Sequence, residues 1–480
     1  MKDIVERALN AAEITGASYA DVRLVRQQIQ SISVKNGHVE ALSHNESQGF
    51  GIRVLVDGAW GFASSSILTL KEAARVAALA AQIARASSLV KDGDVSLGPP
   101  EVHTGRYETP LQIDPFSVPL DEKISLLLAA DAEMLRVKGI AVAESNMEFV
   151  HESKVFASSE GSYIEQGLTE SGAGIEATAV SPDEVQTRSF PNSFGRQQGK
   201  AGYEYILDRN LVQNAQRTAE EAMALLSAPP CPSGVATLIL DSTQLALQVH
   251  ESCGHPVELD RVFGEEASYA GTSFLTRDKL ASFRYGSPVV NIVADATVPG
   301  ALGTFGFDDE GLPAQRTPII QDGLFVGYLT SRETAARLGQ RSNGAMRASG
   351  WNRIPLIRMT NVNLDPGTWT LDDLIADTEE GLYMETNRSW SIDDRRLNFQ
   401  FGTEIAREIK NGKLGDLVKN ATYTGMTPQF WGSCDAVCNR DYWVVWGTPN
   451  CGKGQPEQVA HTGHGAAPAR FRNVQVGVMK

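Results

Sequence analysis

The sequence has little positive charge for its length. Its 43 Lys and Arg residues face 58 Asp and Glu residues, which gives a formal net charge of −15, and no stretch is rich in Lys and Arg. Phosphate backbones and anionic lipids are bound mainly by clustered basic side chains. The composition therefore argues against general nucleic-acid binding and against docking on an anionic membrane.

Long apolar runs and cysteines are also scarce. No run approaches the roughly 20 apolar residues that a membrane-spanning helix needs. The segment Met1–Arg7 opens an amphipathic helix rather than the apolar core of a signal peptide. The five cysteines are an odd number and are too sparse for a disulfide framework. We therefore expect a cytoplasmic protein in a reducing compartment.

The chain has enough apolar residues for several hydrophobic cores. With 480 residues, 42% of them hydrophobic, its length indicates about three domains. The clearest linker is the proline-rich segment 228–234. We predict an N-terminal α+β unit over residues 1–90, a central α+β unit over 91–228 that could form one domain with the first, and a C-terminal domain over 235–480.

The first two units share a pattern of a helix, several strands and a second helix. Apolar spacing predicts four helices, over residues 4–14, 71–86, 121–137 and 207–226. The dipeptides Asn36-Gly37 and Asp57-Gly58 predict two-residue hairpin turns. Either two related layers or one long antiparallel sheet with helices outside would satisfy this pattern.

The third unit is richer in strands than in helices. Apolar runs joined by the turns Asp322-Gly323 and Asn411-Gly412 predict a mostly antiparallel sandwich or layered sheet. The fold class is therefore α+β, in which a mixed region of helices and antiparallel sheet is followed by a strand-rich domain. That domain carries an HExxxH helix near its start.

This helix contains the principal motif, the segment His250–His255, which reads His-Glu-Ser-Cys-Gly-His. It follows a strand-like run over 235–240, and Asp241 or Ser242 can cap the helix between them. Two imidazoles with a carboxylate beside the first are what a zinc peptidase needs. The imidazoles hold the metal, and the carboxylate, here Glu251, accepts a proton from the metal-bound water.

The spacing of the two histidines is unusual. Zinc helices commonly place histidines at i and i+4 on one face, whereas His250 and His255 are about 140° apart on an ideal helix. A π-bulge would widen the turn and bring both imidazoles to one ion. Gly254 permits such a distortion, and Pro256 should end the helix.

A catalytic zinc normally has three protein ligands and a water, so a third ligand is needed. The residues leave several candidates open: Cys451, Glu258, the Asp308–Glu310 trio, His461 and His464. Cys451 lies at a strand end in a glycine-rich loop, where its thiolate could approach an ion. We interpret the acidic trio as a solvated turn and the two late histidines as surface residues.

Two other motifs are interpreted as structural. Cys434 and Cys438 have no partner pair at zinc-ribbon spacing, so we expect two buried small hydrophobic residues rather than a second metal pair. The segment Gly452-Lys453-Gly454 lacks the phosphate loop and the following helix that nucleotide binding requires.

Two motifs together resemble the TldD/PmbA family, and within it the TldD side. They are His250–His255 and the late segment 450–456, which reads Asn-Cys-Gly-Lys-Gly-Gln-Pro. The segments 51–54, 57–63, 307–311 and 358–361 are also similar to the family, so the resemblance spans nearly the whole chain. Pro256 departs from the small residue that the family pattern has there, which affects the loop after the helix rather than a ligand.

The resemblance implies a cytoplasmic zinc metallopeptidase that acts on small, unfolded or flexible peptides. It implies that His250, His255 and Cys451 are the zinc ligands and that Glu251 is the general base. It also implies a dimer with an enclosed chamber, formed with a PmbA/TldE-type subunit that lacks the zinc motif or with a second copy of this chain. From the strand-rich third unit we further predict that the peptide binds extended, as a strand added to a sheet edge.

Two alternatives stay open. In the first, the chain is a non-catalytic or regulatory subunit of a TldD/PmbA-type complex, and the motif holds a structural metal. Glu251 argues against this, because a structural site needs no base and is usually closed by four ligands. In the second, the same water chemistry serves another metal hydrolase, such as an amidase that acts on a non-peptide substrate.

Overall fold

The computed structural model describes residues 1–266, 271–454 and 457–478. Gln455 and Pro456, the last two residues of the late motif, lie outside the described residues. Helices and strands are mixed along the chain, and its C-terminal region is rich in strands, so the predicted α+β class is confirmed. None of the described helices combines the length and the apolar character that crossing a membrane requires.

One eight-stranded sheet occupies the first half of the chain. Its strands are β1 Tyr19–Lys35, β2 His38–Val56, β3 Ala59–Ser65, β4 Thr104–Glu108, β5 Ile140–Ser158, β6 Tyr163–Val180, β7 Val185–Phe190 and β8 Gln197–Gly199. They follow the order β3-β2-β1-β5-β6-β4, and β7 and β8 also pair with β6. The ladder between β4 and β6 is parallel, and the other ladders of this sheet are antiparallel.

The first two predicted units share this sheet, because β1 pairs with β2 on one side and with β5 on the other. Of the two arrangements that the sequence allowed, the single long sheet is the one formed. The hairpin turns at Asn36-Gly37 and Asp57-Gly58 are confirmed, since all four residues have φ between 51° and 75°. The domain boundaries near residues 90 and 228 stay predictions.

Five α-helices accompany the first sheet. They are α1 Lys2–Ile14, α2 Leu70–Ser88, α3 Leu120–Leu135, α4 Glu204–Leu207 and α5 Leu211–Ser227. Two apolar cores form against the sheet, one under α1 and α2 and the other under α3 and α5. The helix predicted over 207–226 is interrupted near its start, because Asn210 has a left-handed φ of 52° and separates α4 from α5.

The second half of the chain holds the other elements. Its strands are β9 Gly234–Leu240, β10 Ile292–Asp295, β11 Arg316–Gln321, β12 Leu324–Phe325, β13 Met346–Arg347, β14 Leu356–Ile357, β15 Val362–Leu364, β16 Glu380–Ile392, β17 Asn398–Lys410, β18 Lys413–Val418, β19 Ala421–Met426, β20 Cys434–Val437, β21 Val444–Lys453, β22 Gln458–Ala466 and β23 Ala469–Val478. Its α-helices are α6 Ser242–Val249, α7 Leu259–Val262, α8 Arg332–Ala336, α9 Leu371–Ala376 and α10 Thr427–Gly432.

A seven-stranded sheet organises this half. It follows the order β16-β9-β23-β19-β17-β18, and β20 pairs with β23. A further ladder joins β16 to β17, so five strands close into a ring, where we had predicted a sandwich or layered sheet. The ring closes because β16 pairs along both of its edges, with β9 in parallel and with β17 in antiparallel. The largest apolar core joins this ring to α6 and to the small sheet of β10, β11, β12 and β15.

Candidate metal centre

The helix that carries the histidine motif begins directly after a strand of the ring. Asp241 follows β9 and caps α6, since its side chain accepts the Thr243 backbone N–H at 2.8 Å. Of the two predicted caps, Asp241 is therefore the one that forms. The buried side of α6 packs into the largest core, which fixes the position of the turn that follows it.

That turn is a π-helix over His250–Gly254. The His255 backbone N–H donates to the His250 carbonyl oxygen, five residues back, and the two imidazole centroids come to 4.8 Å from each other. The predicted bulge is confirmed, and it explains how histidines five residues apart reach one place. A 3₁₀ turn over His255–Val257, which contains Pro256, ends the helix as predicted.

Three predicted ligands meet at this turn. One ligand atom from each of His250, His255 and Cys451 lies within 4.8 Å of the others, and all three side chains are buried. Cys451 comes from β21, and its Sγ is 3.6 Å from His255 Nε2. Tetrahedral zinc, with bonds of ~2.0 Å to nitrogen and ~2.3 Å to sulfur, would separate a nitrogen from a sulfur ligand by about 3.5 Å. The donor atoms suit such an ion, and the distance between Cys451 Sγ and His255 Nε2 is close to this spacing.

His464 is fully buried beside His250, so its interpretation as a surface residue was wrong. Its Nδ1 is 3.1 Å from the Val362 carbonyl oxygen, and its Nε2 is 2.7 Å from His250 Nδ1. A carbonyl oxygen can only accept, so these partners assign the proton to His464 Nδ1 and make His464 Nε2 the acceptor for His250 Nδ1–H. His250 Nε2 then carries the lone pair that a metal requires.

Glu258 contacts a histidine of the group from behind. Its Oε2 is 3.1 Å from His255 Nδ1 and accepts the Arg261 Nε–H at 2.6 Å. Burial alone would raise the pKa of Glu258, but Lys453 and Arg261 lower it well below its usual value. The ionised carboxylate and Arg261 Nη2, each 3.1 Å from His255 Nδ1, thus lie on the Nδ1 side of His255, and Nε2 faces Cys451.

The Asp308–Glu310 trio is buried, which corrects its interpretation as a solvated turn. Asp309 pairs with Lys154 at 2.7 Å, and Glu310 pairs with Arg53 at 3.2 Å. These counter-charges lie 155 and 257 residues away in the chain, so no local pattern reveals them. Asp309 and Glu310 therefore link the second half of the molecule to the first sheet.

The other cysteines and histidine that the sequence suggested for a metal lie outside this group. His461 is half-buried, and its Nδ1 lies 2.5 Å from Glu170 Oε2. Cys434 and Cys438 are buried and unpaired, as predicted for small hydrophobic residues. Burial raises the pKa of both thiols to about 12. Among the residues that the structure describes, His250, His255 and Cys451 form the sole group of three or more such side chains that could hold a metal.

The protonation of the three ligands also suits a metal. Burial lowers the pKa of His250 and of His255 to about 4. Burial alone would raise the pKa of Cys451, but His255 and Arg358 bring it down to about 7. Neutral imidazoles and a readily ionised thiol are the forms that bind a metal.

The ligand group opens on a cleft of about 290 Å³ that Glu251 also lines. Glu251 Oε2 accepts the Arg396 Nη1–H at 2.6 Å. Arg396 lies in the loop between β16 and β17 and has a left-handed φ of 64°. Sequence analysis missed it, because an arginine 145 residues from its partner belongs to no local motif.

Known families and relatives match most of the chain. Three family models match in chain order: PmbA/TldA metallopeptidase domain 1 at residues 20–84, the central domain at 113–226 and the C-terminal domain at 233–478. A metalloprotease from Methanocaldococcus jannaschii is 32% identical over 91% of this chain and 92% of its own. The Metalloprotease TldD homolog of Haemophilus influenzae is 27% identical over 85% of this chain and 82% of its own.

A solved structure shares the fold. TldE from Thermococcus kodakarensis superposes with a TM-score of 0.76 at 16% identity, covering 99% of this chain and 100% of its own. The buried group of two histidines and a cysteine is one that could hold a metal ion. The chain belongs to the PmbA/TldD metallopeptidase family, and its relatives are named metalloproteases. Such relatives imply a metal, which the group of His250, His255 and Cys451 could hold.

Proposed function

We propose that this chain is a TldD-type zinc peptidase that hydrolyses peptide bonds of small, unfolded or flexible peptides. The observation that carries the proposal is the convergence of His250, His255 and Cys451 beside Glu251 in one cleft. Two imidazole nitrogens and a thiolate are ligands that zinc favours. Three protein ligands leave a fourth position for water, as catalytic rather than structural zinc requires.

The side chains of the cleft have distinct roles in this proposal. When bound, zinc supplies an acidified water and polarises the scissile carbonyl. Glu251 accepts the proton of the attacking water and returns it to the leaving amine nitrogen. Arg396 donates to one oxygen of Glu251 and thereby orients the carboxylate. His464 and Glu258 hold the two histidines from behind.

The edge of β21 supports extended binding of the peptide. β21 pairs with β22 on one side, and residues 446–452 line the cleft. Gln197 occupies the start of the other edge, where it donates to the Val445 carbonyl oxygen and accepts the Gly447 N–H. A peptide strand that pairs with β21 beyond Gln197 would run past Cys451. Main-chain pairing of this kind demands little of the peptide sequence.

We also propose a dimer, formed with a PmbA/TldE-type subunit or with a second copy of this chain. Membership of a family that includes TldE, and the shared fold, support the first partner.

We place the protein in the cytoplasm. Its five cysteines are all unpaired, which suits a reducing compartment.

Metal analysis by mass spectrometry tests the proposal. We expect about one zinc per chain in the wild type and its loss in Cys451→Ala, because that variant removes one of three ligands. Glu251→Gln should retain the zinc, and its rate of peptide cleavage should fall by a factor of about 10² or more. Cys434→Ala is the matched control, because it removes a buried thiol outside the group and should keep both zinc and activity.

Each variant can contradict a separate part of the proposal. A zinc-free wild type would favour the non-catalytic subunit. Zinc retained in Cys451→Ala would assign the third ligand to another side chain. Cleavage at the wild-type rate by Glu251→Gln would remove Glu251 as the base.

A further inference from the structure

Two exposed aromatic side chains lie in the cleft. Among the Phe, Tyr and Trp residues that the structure describes, only Phe194 and Trp390 are exposed, by 45% and 41%, and the rest are buried or half-buried. Their ring centroids are 6.3 Å apart at an interplanar angle of 69°. Both line the cleft that contains Glu251 and the ligand group.

The backbone holds Phe194 in this position. It lies in the short turn Ser193–Gly195 between β7 and β8 and has a left-handed φ of 60°, which is unfavourable for a bulky residue. The turn is pressed onto β6, since a Cβ on Gly174 would lie 2.0 Å from the Gly195 carbonyl oxygen. Asn146 Nδ2 donates to the same oxygen at 3.0 Å. Strain of this kind persists where surrounding contacts enforce it, commonly at functional sites.

Trp390 reaches the cleft from the other half of the molecule. It lies near the end of β16, after a bulge between Asn387 and Ser389, and bulges redirect the side chains that follow them. Trp446 of β21 lines the same cleft, where its Nε1–H donates to Ser242 Oγ at 3.1 Å. Aromatic rings from three separate elements therefore surround one cleft.

We propose that Phe194 and Trp390 form a subsite for a large apolar side chain, aromatic or aliphatic, of the peptide substrate. The proposal rests on the proposed peptidase function and names the side chain that the cleft selects. The exposed part of each ring remains in contact with water, where apolar area adds nothing to fold stability. An apolar substrate side chain would bury both rings, and it would do so in the cleft where Glu251 lies.

The test measures peptide binding rather than turnover. Binding to the Glu251→Gln variant is measured by fluorescence anisotropy with pairs of labelled peptides. The two peptides of a pair differ only in having Phe or Ala at one position. That position is moved along the peptide from one pair to the next. We expect the best Phe peptide to bind about tenfold or more tightly than its Ala counterpart. A second substitution in this variant, either Trp390→Ala or Phe194→Gly, should remove most of this preference. Glycine also relieves the positive φ at position 194. Leu414→Ala, which truncates an exposed side chain of β18 outside the cleft, is the matched control and should preserve the preference.

Two results would overturn the subsite. One is equal affinity for the Phe and Ala peptides at every position. The other is an unchanged preference in Trp390→Ala together with weaker dimerisation in sedimentation experiments, which would assign the pair to a subunit contact. Failure of the peptidase proposal would appear differently, as peptide cleavage that Glu251→Gln does not reduce.

Discussion

His250 enters the cleft with one ring nitrogen already engaged. The Val362 carbonyl oxygen fixes the tautomer of His464, and His464 fixes the tautomer of His250. Metal-binding histidines usually receive this support from a carboxylate or a carbonyl directly. Here the Val362 carbonyl oxygen acts on His250 through a second imidazole, that of His464. His464 is therefore a positioning residue for His250.

Substitution of His464 should therefore change metal affinity. We expect His464→Leu to weaken zinc binding roughly 10- to 100-fold, since it removes the acceptor for His250 Nδ1–H. His464→Gln should restore much of the loss, because an amide can accept from His250 and donate to Val362. The measurement is the zinc dissociation constant by chelator competition.

His461→Gln is the control for this series, because it changes a histidine of the same strand that pairs with Glu170 instead. Its zinc affinity should match that of the wild type. Wild-type affinity in His464→Leu would show that His250 needs no support from His464.

At this scale the sequence predicted the side chains that converge and missed those that hold them. His250 and His255 could be named because they belong to one local motif, whereas Cys451 was one of several candidates until the family resemblance singled it out. His464 and Arg396 could not, since their roles follow from contacts with residues 214 and 145 positions away. The acidic trio was misinterpreted for the same reason.

Among the elements, the π-turn after α6 sets the geometry of the ligand group. Its closing residue, Gly254, has no room for a side chain, because a Cβ there would lie 2.0 Å from the sulfur of Met359. Met359 is itself fully buried. Close packing therefore explains this glycine, in addition to the flexibility from which its role was predicted.

We expect Gly254→Ala to lower the unfolding free energy by about 1–3 kcal/mol, since overpacking forces neighbouring atoms to shift. Urea denaturation measures the loss. Gly432→Ala is the control, because nothing lies within 4 Å of the added Cβ at the end of α10. Equal stability of Gly254→Ala and the wild type would mean that Met359 moves aside freely.

Across the whole molecule, buried ion pairs join the first sheet to the second half. Lys154 of β5 pairs with Asp309 at 2.7 Å, and both side chains are at least nine-tenths buried. Removing one partner of such a pair leaves a buried charge with weaker compensation. Breaking this pair on one side should therefore cost more free energy than the intact pair contributes to stability.

Lys154→Met should accordingly lower the unfolding free energy by about 3–5 kcal/mol in urea denaturation. Arg106→Met is the matched control, because Arg106 pairs with Glu108 at 3.1 Å on the exposed surface and should have no measurable effect. Similar small losses in both variants would mean that Arg23, 3.8 Å from Asp309, already compensates its charge.

The sequence predicted the α+β class, the hairpin turns and most helices of the molecule, because each depends on residues close in the chain. It left open whether the first two units share a sheet, and it missed the closed ring. Both features depend on which distant strands pair, as β1 does with β5 and β16 with β9. A local pattern of residues predicts a strand, but it does not show which distant strand will pair with each of its edges.

The order of elements along the chain has a consequence for protein synthesis. Cys451 leaves the ribosome 196 residues after His255, and β23, which pairs with β9 below the histidine helix, follows later still. A growing chain can complete its first sheet long before it can assemble the ligand group. Under the proposed function, the nascent chain therefore cannot hydrolyse the unfolded polypeptides around it before Cys451 has been synthesised and has folded beside the two histidines.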